Sequence, residues 1–367
     1  MRRILVTGGP VPAKLDPVKL VTNKFKGGTI SNLAESLSEN SIVTYICHSS
    51  FAKMPKEIPR LKVKTFTDFH DYKQKVLDLA PSHDGIVLGA AVANLIPTWE
   101  YLNKKFPSHN YKPGDKVNVE FEIAPRIIDL VKGTNPKAKL FGFKLLAGHG
   151  YDELIRAAYE TLLSSKSTVV FANDASNLKE KFMVTKERGV LRLTLEDLPK
   201  VIEQLTEDEY YSTEKIPFKE MSSAVEGNIN KYLCLFNKVC MHFTKVPEGY
   251  YFGSVAVRAG NGFITTSRGK KDLSQIQYSY VERVDHERKI IRSGPMKASL
   301  NAPLLDMIFK NPKVDSIVHL HECDPKLQYL EYAPPGTVRD TMRNVSTSFN
   351  IESHGRYILS DSNGDIL

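Results

Sequence analysis

Apolar runs rich in β-branched residues alternate with helical periodicity through the first half of the chain. The strand-like runs are RRILVTG, SIVTYIC, GIVLGAAVA, AKLFGFKLL and STVVFAND, and the helix-like segments are ISNLAESLSE, DYKQKVLDLA and YDELIRAAYETLLSS. Strands that alternate with helices favour a parallel sheet covered by helices. Unbroken apolar strands are typical of central strands that are buried on both faces. We therefore predict a doubly wound α/β unit.

The pattern changes near Thr206. The stretch TEDEYYSTEKIPFKEMSSAVEG is charged and shows no alternation of strand and helix, so we predict a linker over residues 206–228. Beyond it lie an amphipathic NINKYLCLFNKVCMHF, strand-like YYFGSVAVRAGNGFITTS with a Gly-Asn-Gly turn, and the later runs VDSIVHLHE and RYILSDSNGDIL. We expect two domains, residues 1–215 and residues 229–367.

Composition narrows the classes of protein. At 367 residues, 41% apolar and 25% charged, the chain is typical of globular proteins rather than disordered or fibrous ones. No run approaches the roughly 18 apolar residues of a membrane span, so we expect a cytoplasmic protein without a membrane partner. The net charge of +8 is spread along the chain, which favours anionic small molecules over nucleic acid. Four scattered cysteines form no CxxC pair, which argues against a disulfide framework.

The segment VTGGPVPAKLDPVKLVTNKFKGG, residues 6–28, connects the first predicted strand to the first predicted helix. A strand that ends in glycine before a helix offers backbone N–H groups to an anion, and the helix dipole adds attraction. Gly8 and Gly9 stand where such a site would be. A pair of glycines at the end of a strand is also common for structural reasons alone.

The same segment resembles the opening motif of the phosphopantothenoylcysteine synthetases without a gap. The matching positions are Gly9, Asp16, Pro17, Val18, Asn23 and Gly27. GAAVANLIP is similar to that family's AAVAD strand end, and FGFKLLAG and FANDAS are similar to two later strands. The resemblance covers about residues 1–200. It implies a ligase in which 4'-phosphopantothenate attacks the α-phosphate of CTP or ATP with Mg2+, and the amine of cysteine then opens the acyl-nucleotide.

The resemblance also assigns roles to residues. It makes three residues catalytic: Asn23 would hold the acyl-nucleotide, Lys19 stands where the family has an arginine, and Lys105 is the candidate clamp from the loop LNKKFPSHNYKPGDK. The residues expected to bind nucleotide or phosphate are Gly8, Gly9, Gly27, Ala91, Asn94, Lys104, Lys112, Phe143, Asn173 and Asp174. Each loop lysine fits a solvated surface equally well, Asn173 and Asp174 also fit a turn or cap, and Phe143 also fits the core.

Three histidines form the second constellation. VDSIVHLHE puts His319 and His321 two residues apart at the end of an apolar strand, so both rings point to one face, as metal ligands require. His354 precedes Gly355 and another strand-like run. We predict a metal site at the three histidines, with Zn2+ as its candidate ion.

These histidines and FGSVAVRAGNGFITTSRG resemble the class II aldolase/adducin superfamily, whose zinc lies among an HxH pair and a later HG. Ser254 and Ala256 replace the Asn and Ser of its phosphate loop, and no carboxylate stands near Ser299 and Leu300, where its catalytic glutamate falls. The resemblances imply a Rossmann-like, doubly wound first domain and an α/β (α+β), class II aldolase-like second domain.

Three functions stay open. They are an amide ligase acting on a phosphorylated acid, cysteine and a nucleotide, a metal-dependent aldolase or epimerase, and a non-catalytic scaffold in which both modules are degenerate. Both families assemble sites between subunits, so the resemblances also imply a homo-oligomer.

Overall fold

The computed structural model describes residues 1–216, 225–275 and 277–367. It divides into two compact units, Met1–Glu207 and Asp208–Leu367. Unit 1 ends at Glu207, eight residues before Lys215, where the sequence predicts the end of the first domain. Residues 208–215 fall in the second unit because they contain a strand of that unit's sheet.

Unit 1 alternates strands and helices as predicted. Its strands are β1 (Arg3–Thr7), β2 (Pro10–Val11), β3 (Ala13–Lys14), β4 (Leu20–Val21), β5 (Ile42–His48), β6 (Leu61–Phe66), β7 (Gly85–Leu88), β8 (Ala91–Val92), β9 (Leu95–Pro97), β10 (Phe121–Ile123), β11 (Lys139–Leu146), β12 (Val169–Asp174), β13 (Lys181–Val184) and β14 (Val190–Leu193). Its helices are α1 (Gly28–Leu37), α2 (Phe69–Leu79), α3 (Ile127–Thr134), α4 (Tyr151–Ser165) and α5 (Leu198–Glu207).

The main sheet of unit 1 has the strand order β14-β13-β12-β11-β7-β1-β5-β6. The strands from β6 to β12 in this order run parallel, and β13 and β14 are antiparallel to their neighbours. The chain therefore runs outward from β1 to β6 and then returns to β7 on the other side of β1. The predicted parallel α/β architecture is confirmed, and ligands of such sheets bind outside the carboxyl ends of the strands where the order reverses.

Helices cover both faces of this sheet. On one face Leu5 of β1 packs in a cluster with Phe69 of α2 and Ile127 of α3. On the other face, Gly85 of β7 lies against Thr206 of α5. Because both faces are covered, the apolar strands lose the period-two alternation of a half-exposed sheet.

Unit 2 is dominated by strands. They are β15 (Ser212–Lys215), β16 (Thr244–Lys245), β17 (Tyr251–Phe252), β18 (Ser254–Ala259), β19 (Gly262–Thr266), β20 (Tyr278–Asp285), β21 (Ile290–Pro295), β22 (Ser316–Leu320), β23 (Gln328–Leu330), β24 (Phe349–Ile351) and β25 (Gly355–Ser360). The helices that the structure describes in this unit are α6 (Ile229–Val239), α7 (Ala302–Phe309) and α8 (Val338–Thr341).

The main sheet of unit 2 has the order β15-β21-β20-β19-β18-β22-β25-β24-β23 and is mostly antiparallel. The hairpin of β18 and β19 turns at the predicted Gly-Asn-Gly. The predicted linker is wrong over residues 206–216, because Thr206 and Glu207 end α5 and Ser212–Lys215 form β15. All four residues of β15 are exposed and polar at the sheet edge, so no apolar alternation marks them as a strand.

Residues 217–224 of the predicted linker lie outside the described residues. Within the described parts of both units, none of the helices combines the length and the apolar character needed to cross a membrane.

Candidate functional site

The glycine loop, defined as Gly8, Gly9 and Gly27, follows β1 and meets the start of α1. Gly9 and Gly27 have φ angles of 77° and 78°, a region that favours glycine. A Cβ on Gly27 would lie 2.2 Å from the Gly9 nitrogen, and one on Gly8 would lie 2.3 Å from the Tyr45 hydroxyl. Glycine is therefore required for the backbone after β1 to approach the N-cap of α1 this closely.

Asn23 joins this loop to the extension of β7. Its Nδ2 donates to the Ala91 carbonyl at 3.0 Å, and the Ala91 N–H donates to the Gly9 carbonyl at 2.9 Å. The Asn23 Oδ1 makes no hydrogen bond within the described part of the chain. The structure thus brings together five of the residues predicted from sequence, namely Gly8, Gly9, Asn23, Gly27 and Ala91.

A cavity of about 220 Å³ opens at the carboxyl ends of β7 and β11. Its lining comprises Tyr72, Leu88, Ala90, Val92, Asn94, Ala124, Pro125, Arg126, Ile127, Ile128, Phe143, Lys144 and Thr161. Two predicted residues, Asn94 and Phe143, belong to this lining, and the residues on either side of Ala91 do as well. The Tyr72 hydroxyl at its wall is hydrogen-bonded to the Thr7 hydroxyl at 3.0 Å, and burial raises the pKa of Tyr72 to about 12.

The N-terminus of α3 forms one side of this cavity. The N-cap residue Arg126 has no side-chain acceptor for the helix, so the N–H groups of Ile127 and Ile128 are available to a ligand. The N–H of Asp129 instead donates to the Arg126 carbonyl at 3.1 Å. Arg126 and Lys144 add two positive side chains to the lining. Sequence reasoning missed both, because it did not show that the start of α3 and the end of β11 share one cavity.

The histidine cluster, defined as His319, His321 and His354, lies in unit 2. One potential ligand atom of each residue lies within 4.8 Å of the others. His319 lies on β22, whereas His321 follows one residue after the end of that strand. A Cβ on Gly355 would lie 2.0 Å from the Leu320 carbonyl oxygen, so glycine after His354 lets the β24–β25 turn approach β22.

The ring nitrogens of the cluster are suited to a metal ion. Nδ1 of His319 donates to the Arg356 carbonyl at 3.1 Å, which leaves Nε2 as the unprotonated nitrogen. Nε2 of His319 and Nδ1 of His354 are buried and have no hydrogen-bond partner among the described residues. Within the residues that the structure describes, these three form the single group of at least three His, Cys, Asp or Glu residues suited to hold a metal.

A family model described as the DNA/pantothenate metabolism flavoprotein C-terminal domain matches residues 1–209, which is more than half of the chain. The chain belongs to this family. The resemblance predicted for about residues 1–200 is thereby confirmed at the level of the family. The match ends at the beginning of unit 2, so the aldolase-like description of that unit stays a prediction.

One curated relative and one solved structure are similar to parts of this chain. The coenzyme A biosynthesis bifunctional protein CoaBC of Thermococcus kodakarensis is 30% identical over 174 residues, 47% of this chain and 41% of that protein. The chain thus spans less than half the length of the curated relative that it matches. The DNA/pantothenate metabolism flavoprotein from Streptococcus pneumoniae is 23% identical, with 55% of this chain and 97% of that chain covered and a TM-score of 0.49.

The l-fuculose-1-phosphate aldolase from Thermus thermophilus is also similar in structure. It is 13% identical, with 35% of this chain and 77% of that chain covered and a TM-score of 0.25.

In this family member, Lys19 is paired within its own turn. Its Nζ lies 3.0 Å from Asp16 Oδ2, and Asp16 also accepts hydrogen bonds from the N–H groups of Val18, Lys19 and Phe106. Burial raises the pKa of Asp16, but these hydrogen bonds outweigh burial and hold the pKa well below its usual value. The predicted catalytic lysine is therefore positioned by an ionised Asp16.

The three loop lysines are exposed. Lys104 forms an ion pair with Glu100 at 3.1 Å, and the N–H of Lys112 donates to Asp115. Lys105 makes no hydrogen bond or ion pair with any described residue. No hydrogen bond or ion pair within the described residues joins these lysines to the glycine loop or the cavity.

Asn173 and Asp174 end β12, beside the end of β11. Asn173 is buried, whereas Asp174 accepts hydrogen bonds from the hydroxyl and the N–H of Ser176 at 2.6 and 2.8 Å. These bonds, first that from the hydroxyl, hold the pKa of Asp174 below its usual value. Asp174 therefore shapes a turn at the carboxyl edge, which agrees with the turn interpretation of the sequence.

Proposed function

We propose that unit 1 is a ligase that forms an amide between 4'-phosphopantothenate and cysteine through an acyl-nucleotide, using CTP or ATP. Family membership of residues 1–209 supports the proposal. The observation that carries it is the cavity at the carboxyl edge, with Arg126, Lys144 and the N-terminus of α3 in its wall. We also propose that unit 1 is Rossmann-like and doubly wound, because its strand order reverses at β1 between two layers of helices.

The proposed reaction joins two anions, so it depends on positioning and on cations that neutralise charge. The carboxylate of 4'-phosphopantothenate attacks the α-phosphate and pyrophosphate leaves. The amine of cysteine then attacks the acyl carbon, the nucleoside monophosphate leaves, and the amine loses a proton. Mg2+ would arrive on the nucleotide and neutralise its phosphates.

The proposal gives roles to residues of the cavity, to Asn23 beside the glycine loop and to one of the loop lysines. Phe143 and Asn94 contact the nucleotide in the cavity, and Arg126, Lys144 and the first turn of α3 hold phosphate oxygens. Asn23 presents its unbonded Oδ1 to the acyl-nucleotide beside the glycine loop. Lys105 is our candidate among the loop lysines for the closing clamp, because Lys104 already pairs with Glu100.

The test supplies the purified chain with CTP or ATP, Mg2+, 4'-phosphopantothenate and cysteine. We expect pyrophosphate release that requires 4'-phosphopantothenate. We also expect the rate of amide formation to fall about 100-fold in Asn23→Asp. Asn32→Asp, on the exposed face of α1, is the matched control and should retain activity. Pyrophosphate release that does not depend on 4'-phosphopantothenate would refute the substrate assignment. Full product formation by Asn23→Asp would refute the role of Asn23.

We further propose that the histidine cluster of unit 2 holds a transition metal, with Zn2+ as the candidate. The buried ring nitrogens without partners support this fit. Burial, with the neighbouring histidine charges, lowers the pKa of His319 and His354 well below the usual value, and burial lowers the pKa of His321 to about 4. Neutral imidazole is the form that coordinates metals. A bound Zn2+ would supply Lewis acidity.

Metal analysis of the purified chain tests this second proposal. We expect close to one metal per chain in the wild type, and a loss of nearly all of it in His319→Ala. His242→Ala removes an exposed histidine of the same unit and should leave the metal content unchanged. An equal metal content in wild type and His319→Ala would refute the site.

An aldolase or epimerase activity of unit 2 would require an acid or base, and the expected position near Ser299 and Leu300 holds none. A scaffold role would leave the metal as a structural element. We also propose a homo-oligomer, which light scattering tests, because the mass of a single chain would refute it.

A further inference from the structure

Lys270 is a buried lysine close to the histidine cluster. It is 6% exposed, and its ammonium makes no hydrogen bond or ion pair with any described residue. The ammonium lies over the face of Phe243, whose ring centroid is 5.4 Å from Nζ. A buried ammonium normally ends on a carboxylate or on carbonyl oxygens, because an unpaired buried charge is costly.

Aromatic side chains and one short strand connect Lys270 to the cluster. The carbonyl of Lys270 accepts a hydrogen bond from the N–H of Tyr251 on β17, at 2.8 Å. The next residue, Phe252, packs its ring 4.8 Å from the ring of His321. A Cβ on Gly253 would lie 2.4 Å from the Phe243 ring, so Phe243 packs directly against the backbone after Phe252. Lys270, Phe243, Phe252 and His321 therefore form one continuous group.

The surroundings of the cluster are positively charged. The cationic side chains near the cluster are Lys270, which lies near His319 and His321, and Arg343, which lies near His354. Arg343 has its own partner, Asp340, at 3.1 Å. Lys270 has none among the described residues, so a metal ion at three neutral histidines would add a second uncompensated cation beside it. Such a site attracts an anion.

We propose that Lys270 and the histidine cluster form one binding site for a small oxyanion, which coordinates the metal through one oxygen and accepts a hydrogen bond from Lys270. The inference rests on the metal site proposed above. Carboxylates and phosphates share this chemistry. The ligand replaces the carboxylate partner that the described residues do not provide to Lys270, and His321 is the least buried of the three histidines.

The test uses the full chain loaded with Co2+, whose visible absorption reports a change in coordination. Acetate and inorganic phosphate are titrated in separate arms, which distinguishes a carboxylate ligand from a phosphate ligand. We expect Lys270→Met to weaken binding of the preferred anion about 10- to 100-fold, and Lys270→Arg to recover part of the affinity. The matched control is Lys271→Met, which removes the same charge from the exposed neighbouring lysine and should change affinity less than about twofold.

A second measurement does not depend on metal or activity. Without added anion, Lys270→Met should unfold at a higher temperature than the wild type, because the variant no longer buries an unpaired ammonium. Lys271→Met should not. A lower unfolding temperature for Lys270→Met would overturn the claim that Lys270 lacks a partner.

The outcomes separate the two proposals. If the wild type does not bind Co2+, both the metal site and this inference are refuted. If it binds Co2+ but wild type and Lys270→Met bind acetate and phosphate equally, or neither anion binds, the inference alone is refuted.

Discussion

The carboxyl edge of unit 1 and the histidine cluster of unit 2 are built from different parts of the chain. At the edge, close backbone approach between Gly9 and Gly27 and the start of α3 provide N–H groups that do not titrate. In the cluster, buried imidazoles provide the binding atoms, and they must be neutral to do so. The comparison shows that the first site depends on backbone geometry and the second on the desolvation of side chains.

The buried lysines of the two units also differ in whether the backbone satisfies them. Burial lowers the pKa of Lys132 and Lys181 in unit 1, and of Lys270 in unit 2, to about 8. Lys132 donates to the Pro136 and Ala138 carbonyls and Lys181 to the Leu178 carbonyl, whereas Lys270 has no such acceptor among the described residues. Burial alone therefore does not indicate a binding site, and the missing acceptor is the informative feature.

Gly27→Ala tests whether the carboxyl edge depends on backbone geometry, and we expect it to have the largest effect of the changes considered. A Cβ would collide with the backbone of Gly9, and the φ of 78° disfavours alanine, so we expect a loss of about 3 to 5 kcal/mol in the free energy of unfolding. Gly114→Ala is the matched control, because its φ is 96° but no atom lies within 4 Å of the added Cβ. It should cost about 1 kcal/mol. Equal losses in urea denaturation would show that close approach at the edge is unimportant.

Lys181→Met sharpens the comparison of buried lysines. The pKa of Lys181 falls from 10.5 to about 8 on folding, so the unfolded chain holds more protons between these values and the free energy of unfolding rises with pH there. Below pH 8 Lys181 is charged in the folded chain, so the full cost of burying its ammonium lowers the free energy of unfolding. We expect Lys181→Met to be stabilised by about 2 kcal/mol at pH 7, after loss of the bond to Leu178, and by progressively less towards pH 10.5.

Denaturation at several pH values measures this difference. Lys179→Met, at an exposed neighbouring position, should show no such pH dependence. A constant difference between Lys181→Met and wild type from pH 7 to 10.5 would contradict the assignment of a depressed lysine pKa.

Much of the fold could be predicted from the chain because its signals are local. The alternation of β-branched runs with helical periodicity located five segments of the main sheet of unit 1 and three of its helices, α1, α2 and α4, and the Gly-Asn-Gly turn located the β18–β19 hairpin. The alternation did not locate β6, β13, β14, α3 or α5. The single predicted strand GIVLGAAVA is instead two, β7 and β8, because pairing passes from β1 to β2. A change of pairing partner leaves no mark in the apolar pattern of one segment.

The sites were predictable where sequence spacing fixes geometry. The HxH spacing brought His319 and His321 together, and the glycines and Asn23 were found from their motif. Lys270 was missed because its burial depends on Phe243, which is distant in sequence. Arg126 and Lys144 were missed because no local pattern shows which loops meet at a sheet edge.

Arg126→Gln tests how far nucleotide binding at the carboxyl edge of unit 1 depends on a side-chain charge. The Arg126 side chain is half exposed and lies 3.5 Å from Asp129, so water and this partner already screen its charge. We expect the affinity for CTP or ATP, measured by calorimetry, to fall about tenfold in low salt and less at about 0.5 M salt. Arg156→Gln, an exposed change on α4, should have no effect on affinity. If Arg126→Gln also leaves the affinity unchanged, the backbone N–H groups and Lys144 suffice to bind the nucleotide. The carboxyl edge would then depend on its backbone even more than we infer, in contrast to the side-chain cluster of unit 2.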